Sequence, residues 1–178
     1  VDEGTPLPEK PIMLTFDDGY WNNYLYVLPL LKQYDAKIVL SLIGKDADDF
    51  TQYHSTSVDH AKMTWDQIAE MAESGLVELQ NHTYNLHENS GRLGCTQRWG
   101  ESDEDYVKVL TEDVLRVQED ILRRTGQQIS VIAQAGSAEE TICTDCDLSA
   151  VTAIRQAIPV FQQVIDLLLD GGITEESG

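Results

Sequence analysis

Short apolar runs alternate along this chain with stretches in which apolar residues recur every three or four positions, the patterns of strands and amphipathic helices. Residues 11–16 read as a buried strand stopped by Asp17-Asp18-Gly19, after which Tyr24, Leu28 and Leu31 recur at helical spacing. Residues 36–43 read as a second buried strand, followed by a long polar loop over 44–63. Thr64 with Gln67 three residues later is a capping-box signal for a helix that Gly75 closes, and residues 76–80 form a third strand. Beyond a loop over 81–100, Ser102 opens the clearest helix, with Val107, Leu110, Val114, Val117 and Ile121 on one face and Gly126 at its end. Residues 129–133 are a fourth strand candidate, and Ile154, Ile158, Phe161, Ile165 and Leu168 mark a last helix over 149–169, kinked at Pro159. Strand and helix thus alternate about four times, which argues for an α/β fold with parallel strands and helices packed outside, doubly wound or barrel-like.

Composition narrows the class. The 178 residues, 42% hydrophobic with 12 glycines, fit one domain with an ordinary core. Residues 1–10, polar and proline-rich, read as a linker, and 11–178 as a single domain. A net charge of −19 repels a phosphate backbone or an anionic membrane surface, so no nucleic-acid partner is expected. No apolar run approaches the ~20 residues of a membrane span, and no basic-then-apolar leader is visible at the N-terminus. Cys95, Cys143 and Cys146 make an odd set. The Cys143/Cys146 spacing reads as chance or a small local disulfide, because no second pair is near enough to complete a four-ligand zinc site.

Two motifs carry chemistry. Asp17 and Asp18 follow the first strand and His82 and His87 the third, at the strand ends where parallel α/β folds place their sites. Alone, Asp-Asp-Gly is a turn and two histidines are surface residues. Together at equivalent strand ends, one carboxylate and two imidazoles form a common set for a catalytic divalent cation with open positions, leaving the second carboxylate for proton transfer. His54 and His60, in the polar loop, are expected to be solvated. The loops over 44–63 and 88–100 are long enough to be lips of a site, with Tyr53, Arg92, Arg98 and Trp99 as candidate sugar contacts and Trp99 the best stacking platform. Tyr20, beside the acidic pair, joins Arg98 and Trp99 as an expected substrate contact.

Leu14-Thr15-Phe16-Asp17-Asp18-Gly19, followed by His82-Thr83 and His87, resembles the polysaccharide deacetylases, the NodB-homology domain of carbohydrate esterase family 4. Thr64-Trp65-Asp66-Gln67 and Gly100-Glu101-Ser102 add to the resemblance, which runs from about residue 11 to 128. It implies a distorted (β/α) barrel, here incomplete, that removes N-acetyl or O-acetyl groups from an extracellular or cell-wall polysaccharide. By motif position, Asp18, His82 and His87 are the implied metal ligands and Asp17 the catalytic base. The implied cofactor is one divalent ion, zinc first, with nickel, cobalt and iron accepting the same ligands. Two family features are missing. The segment after the fourth strand, normally Tyr-Pro-Tyr-Gly or Arg-Pro-Tyr-Gly with an oxyanion-binding tyrosine N–H, is Ala133-Gln134-Ala135-Gly136, and no histidine follows His87 to act as the acid. Residues 129–178 therefore read as divergent or truncated. Four β/α units leave an open sheet edge, for which a homodimer is one expected cover. A metal- or glycan-binding pseudo-deacetylase is the alternative. A receiver-like magnesium module fits less well, since the third strand ends in Asn81-His82 with no phosphoacceptor aspartate. The motifs do not separate peptidoglycan, poly-N-acetylglucosamine, chitin oligomers and acetylated xylan as substrates.

Overall fold

A computed structural model describes residues 9–10, 12–55, 57–87, 91–92, 94–129 and 132–133. The expected helix over 149–169, with Pro159, and the Cys143/Cys146 pair lie outside the described residues. Three parallel strands, β1 (Thr15–Phe16), β2 (Ile38–Leu42) and β3 (Val77–Asn81), form a sheet in the order β1-β2-β3. A π-helical turn over Asn23–Val27 runs into α1 (Leu28–Tyr34) between the first two strands. Helices α2 (Gly44–Tyr53) and α3 (Trp65–Glu73) lie between β2 and β3, and α4 (Asp103–Thr125) follows β3. Strand β2 is central, and its Ile38, Leu40 and Leu42 are buried on one face against core residues of the helices, among them Leu28, Leu31, Ile68, Val117 and Ile121.

The helices form where their local chemistry directs. Thr64 and Gln67 make the full reciprocal capping box of α3, with Thr64 Oγ1 accepting from Gln67 N and Gln67 Oε1 accepting from Thr64 N. Ser102 caps α4, whose first turn carries Asp103, Glu104 and Asp105 and whose last carries Arg123 and Arg124, signs that suit the helix dipole. Leu110, Val114, Val117 and Ile121 of α4 are fully buried, as their spacing predicts.

Two expectations are corrected. The first strand is an edge, not a buried element. Only Thr15–Phe16 pairs as a strand, and Ile12, Met13 and Leu14 are 86%, 75% and 47% exposed. An apolar run marks a buried strand only where a neighbour covers it, and among the described residues β1 has a neighbour on one side alone. The polar loop over 44–63 begins as a helix instead. Helix α2 has no side-chain N-cap to betray it; Gly44 N and Lys45 N donate to the carbonyls of Thr83 (3.1 Å) and Tyr84 (2.9 Å), so its cap arrives from a segment forty residues away. Lys45 and Asp49 add an i,i+4 ion pair on its outer face. His54 and His60 are exposed, as expected.

The fourth strand is present as a single parallel bridge, Asn81 with Ile132, reinforced by Ala133 N donating to Asn81 O at 2.8 Å. No helix among the described residues is long and apolar enough to cross a membrane.

Packing is close where the start of α2 meets Tyr84 and Val117. A Cβ on Gly44 would lie 2.7 Å from Tyr84 Cδ2 and 2.9 Å from Val117 Cγ2. Gly44→Ala is expected to cost about 1–3 kcal/mol through overpacking, despite the gain in helix propensity. Urea denaturation checks this; unchanged stability would mean that the loop yields freely.

Candidate metal centre

Both chemical motifs sit on sharp backbone. After β1, Gly19 N donates to Asp17 O at 2.9 Å across a three-residue turn, which forces Asp18 to φ +66°. Aspartate tolerates positive φ better than most residues. After β3, Asn81 is wholly buried; its Nδ2 donates to Val114 O (3.0 Å) and its Oδ1 accepts from Thr83 N (2.7 Å). Thr83 is held at φ +72°, an uncommon conformation for a β-branched residue and a sign of a segment constrained by its surroundings.

These turns bring three of the four expected residues to one point. Asp18 Oδ1 lies 3.3 Å from His82 Nε2 and 3.4 Å from His87 Nε2. The imidazole rings are 5.0 Å apart, tilted at 47°. His82 is nearly buried, while Asp18 and His87 keep a side open to solvent. The geometry suits a cation directly: donor atoms at the corners of a tetrahedron with bonds of about 2.1 Å are about 3.4 Å apart. All three donor atoms lie within 4.8 Å of one another.

The surroundings fix how these groups face one another. His82 Nδ1 is 3.2 Å from Ala133 O, which can only accept, so a cation on Nε2 would leave the ring proton on Nδ1; without a cation, Nε2 is the atom that donates to Asp18 Oδ1. The residues expected as a fourth strand thus orient the first histidine. The hydrogen bond with His82 pulls the Asp18 carboxyl down to about 2; burial opposes this, and the charges of Lys62 and His87 assist it. Asp18 is therefore ionised at any physiological pH.

The loop from His82 to His87 is clamped from α4. Asp113 accepts from Tyr84 N (2.6 Å) and Asn85 N (2.8 Å), one bond to each carboxylate oxygen. Burial pushes the Asp113 carboxyl up, against these two bonds. Asp113→Ala removes two charge-assisted acceptors at once and is expected to cost about 2–4 kcal/mol and to weaken cation binding. Urea unfolding and calorimetric zinc titration check the two effects; full stability in the variant would contradict the clamp. Sequence reading missed Asp113, which carries no signal apart from its place on the inner side of α4.

The remaining candidates divide. Asp17 is exposed next to Asp18, its side chain reachable from solvent. Tyr20 lies under the Lys62 ammonium, which is 3.6 Å from its ring centroid. Trp99 is completely exposed, Arg98 is exposed beside it, and Tyr53 projects from the end of α2. Arg92 is not available as a sugar contact: it is buried and paired to Glu101, and also donates to Thr96 O (2.8 Å). Its charge is spent on holding the 92–101 loop together, helped by Tyr106 Oη donating to Cys95 O at 2.7 Å.

The family model for polysaccharide deacetylases matches residues 4–146, beyond both ends of the 11–128 segment read from motifs. An Escherichia coli K12 protein described as poly-beta-1,6-N-acetyl-D-glucosamine N-deacetylase is 42% identical over 89 residues, 47% of this chain and 13% of that protein. The deacetylase domain of BpsB from Bordetella bronchiseptica superposes with a TM-score of 0.60 at 32% identity, covering 71% of this chain and 56% of that one. A de-N-acetylase from Aggregatibacter actinomycetemcomitans gives 0.61 at 28% identity, covering 74% and 56%. The chain thus spans little more than half of these solved domains, and their barrel-like α/β fold is represented here in incomplete form. A match that runs from residue 4 to 146 is far more than a shared motif, and the chain belongs to the polysaccharide deacetylase family.

Proposed function

We propose that this chain hydrolyses N-acetyl groups, or O-acetyl groups, on an extracellular or cell-wall polysaccharide, using one divalent cation held by Asp18, His82 and His87. The observation that carries this reading is the placement of Asp18 Oδ1 at 3.3 and 3.4 Å from two imidazole nitrogens, the spacing of a ligand set. Zinc is the first choice for two histidines and one carboxylate. Such a cation supplies polarisation of the acetyl carbonyl and a bound water acidic enough to be deprotonated near neutral pH.

The protein's own residues do the rest. Asp17, exposed beside the ligand set, is the base that takes the proton from the attacking water. Ala133 O holds His82 in the tautomer that leaves Nε2 for the cation, and Asp113 holds the loop that carries His87. Trp99, exposed and with Arg98 next to it, offers an apolar face on which a sugar ring can stack, and Tyr20, close in the chain to the acidic pair, is the further substrate contact in this reading. The E. coli relative, described as an N-deacetylase of poly-beta-1,6-N-acetyl-D-glucosamine, favours an N-acetylated glucosamine polymer over an O-acetylated one.

A second reading, a pseudo-deacetylase that binds metal and glycan without turnover, is favoured by Ala133-Gln134-Ala135-Gly136 in place of the oxyanion tyrosine segment. Acetate release from N-acetylglucosamine oligomers and from peptidoglycan, with added zinc and with chelator, separates the two. Release that depends on the cation is the expected result. Cation and glycan binding with no acetate would select the pseudo-deacetylase, and failure to bind a divalent cation would overturn both.

A further inference from the structure

Asp18 presents its two oxygens to different partners. Oδ1 faces the imidazoles, while Oδ2 lies 3.5 Å from Lys62 Nζ. Lys62 is no loosely tethered surface lysine: its side chain is only 11% exposed, its ammonium sits 3.6 Å above the Tyr20 ring, and it lies 3.5 Å from Asp46 Oδ2 in the first turn of α2. Backbone pairing sets its position. Tyr20 and Lys62 form an antiparallel bridge, with Trp21 N donating to Ala61 O (2.8 Å) and Met63 N to Gly19 O (2.9 Å), so the lysine is laced against the turn that carries Asp18.

We propose that Lys62 is a built-in counter-cation of the metal centre: it holds Asp18 by its outer oxygen, leaving Oδ1 to the cation, and lowers the affinity with which that cation is held. The inference rests on the metal reading above. Its physical basis is charge. An ammonium in contact with the far oxygen of a ligand carboxylate is within a few ångström of the cation bound to the near one, and a single charge repels a divalent ion there by about tenfold in affinity or more, even with strong screening. The same ammonium keeps Asp18 and Asp46 from repelling each other before a cation arrives. It also turns Asp18 into a one-oxygen ligand, which keeps a coordination position open for water or an acetyl oxygen. Removing the charge should therefore tighten binding, an outcome that mere damage to the site cannot produce.

The test is calorimetric titration of zinc into the whole chain, counting only the binding that His87→Ala abolishes, so that Cys143 and Cys146 do not contribute. Lys62→Met and Lys62→Gln are expected to bind zinc at least about tenfold more tightly than the parent and to show a larger zinc-induced rise in Tm. Lys62→Arg, which keeps the charge, should stay within about threefold of the parent. Lys108→Met, the same charge change on an exposed position of α4, should leave affinity unaltered. Unchanged or weaker binding in Lys62→Met and Lys62→Gln, with circular dichroism showing the parental fold, overturns the inference while leaving the metal reading intact. Departure of Lys62→Arg from the parental affinity does so too, and it can be read even if neither neutral variant folds. A parent that binds no zinc overturns both inference and metal reading.

Discussion

Asp17→Asn is expected to lower kcat for acetate release by about 10²–10⁴-fold while leaving zinc affinity within a few-fold of the parent. The separation follows from position. Asp17 is exposed and adjacent to Asp18 in the chain, and it is an Asp18 oxygen that lies 3.3 and 3.4 Å from the Nε2 atoms of His82 and His87. Asparagine keeps the shape and the short turn, because the bond that shapes the turn runs from Gly19 N to the backbone oxygen of residue 17. What disappears is a lone pair able to take the water's proton. A drop of that size in kcat with unchanged zinc stoichiometry identifies a base; loss of zinc along with activity would instead place Asp17 among the ligands. Full activity in Asp17→Asn would remove it from the chemistry altogether.

How far this could be seen from the sequence depends on how local each determinant is. The capping box of α3 and the apolar face of α4 are complete within a few residues, and both elements lie where the pattern predicts. That Asp18, His82 and His87 come together was legible for a related reason: each follows an apolar run that a parallel sheet delivers to the same end. Helix α2 was not, since its cap is made of Thr83 and Tyr84 carbonyls and its buried contacts are to other elements. Arg92 misled in the opposite direction. An arginine in a long polar loop reads as a surface cation, and only the tertiary structure shows it buried against Glu101. Lys62, Asp113 and the Ala133 carbonyl belong to the same class: each contacts Asp18, His82 or the loop that follows His82 across a long stretch of chain, where no spacing rule reaches.

Asp18→Asn should reverse the Asp17→Asn result, losing the cation first and activity as a consequence. One of three ligands goes, and the charge that the cation would meet at Oδ1 goes with it. Zinc affinity is expected to fall by more than the roughly 10–100-fold that loss of an outer partner costs. Raising zinc to millimolar concentrations should restore part of the acetate release, since Asp17 is still present to act as the base. A variant that keeps parental zinc affinity would remove Asp18 from the ligand set. The metal-free protein offers a second, independent readout. Because the Asp18 carboxyl is lowered from 3.8 to about 2 in the folded chain, its ionised form contributes stability that is fully present above about pH 4 and is lost as the pH falls toward 2. Asparagine has no proton to gain, so the Asp18→Asn protein should start less stable at neutral pH and lose less than the parent across that window. Parallel acid-unfolding curves for the two proteins would show that the contact between Asp18 and His82 does not bind the two loops together in the absence of a cation.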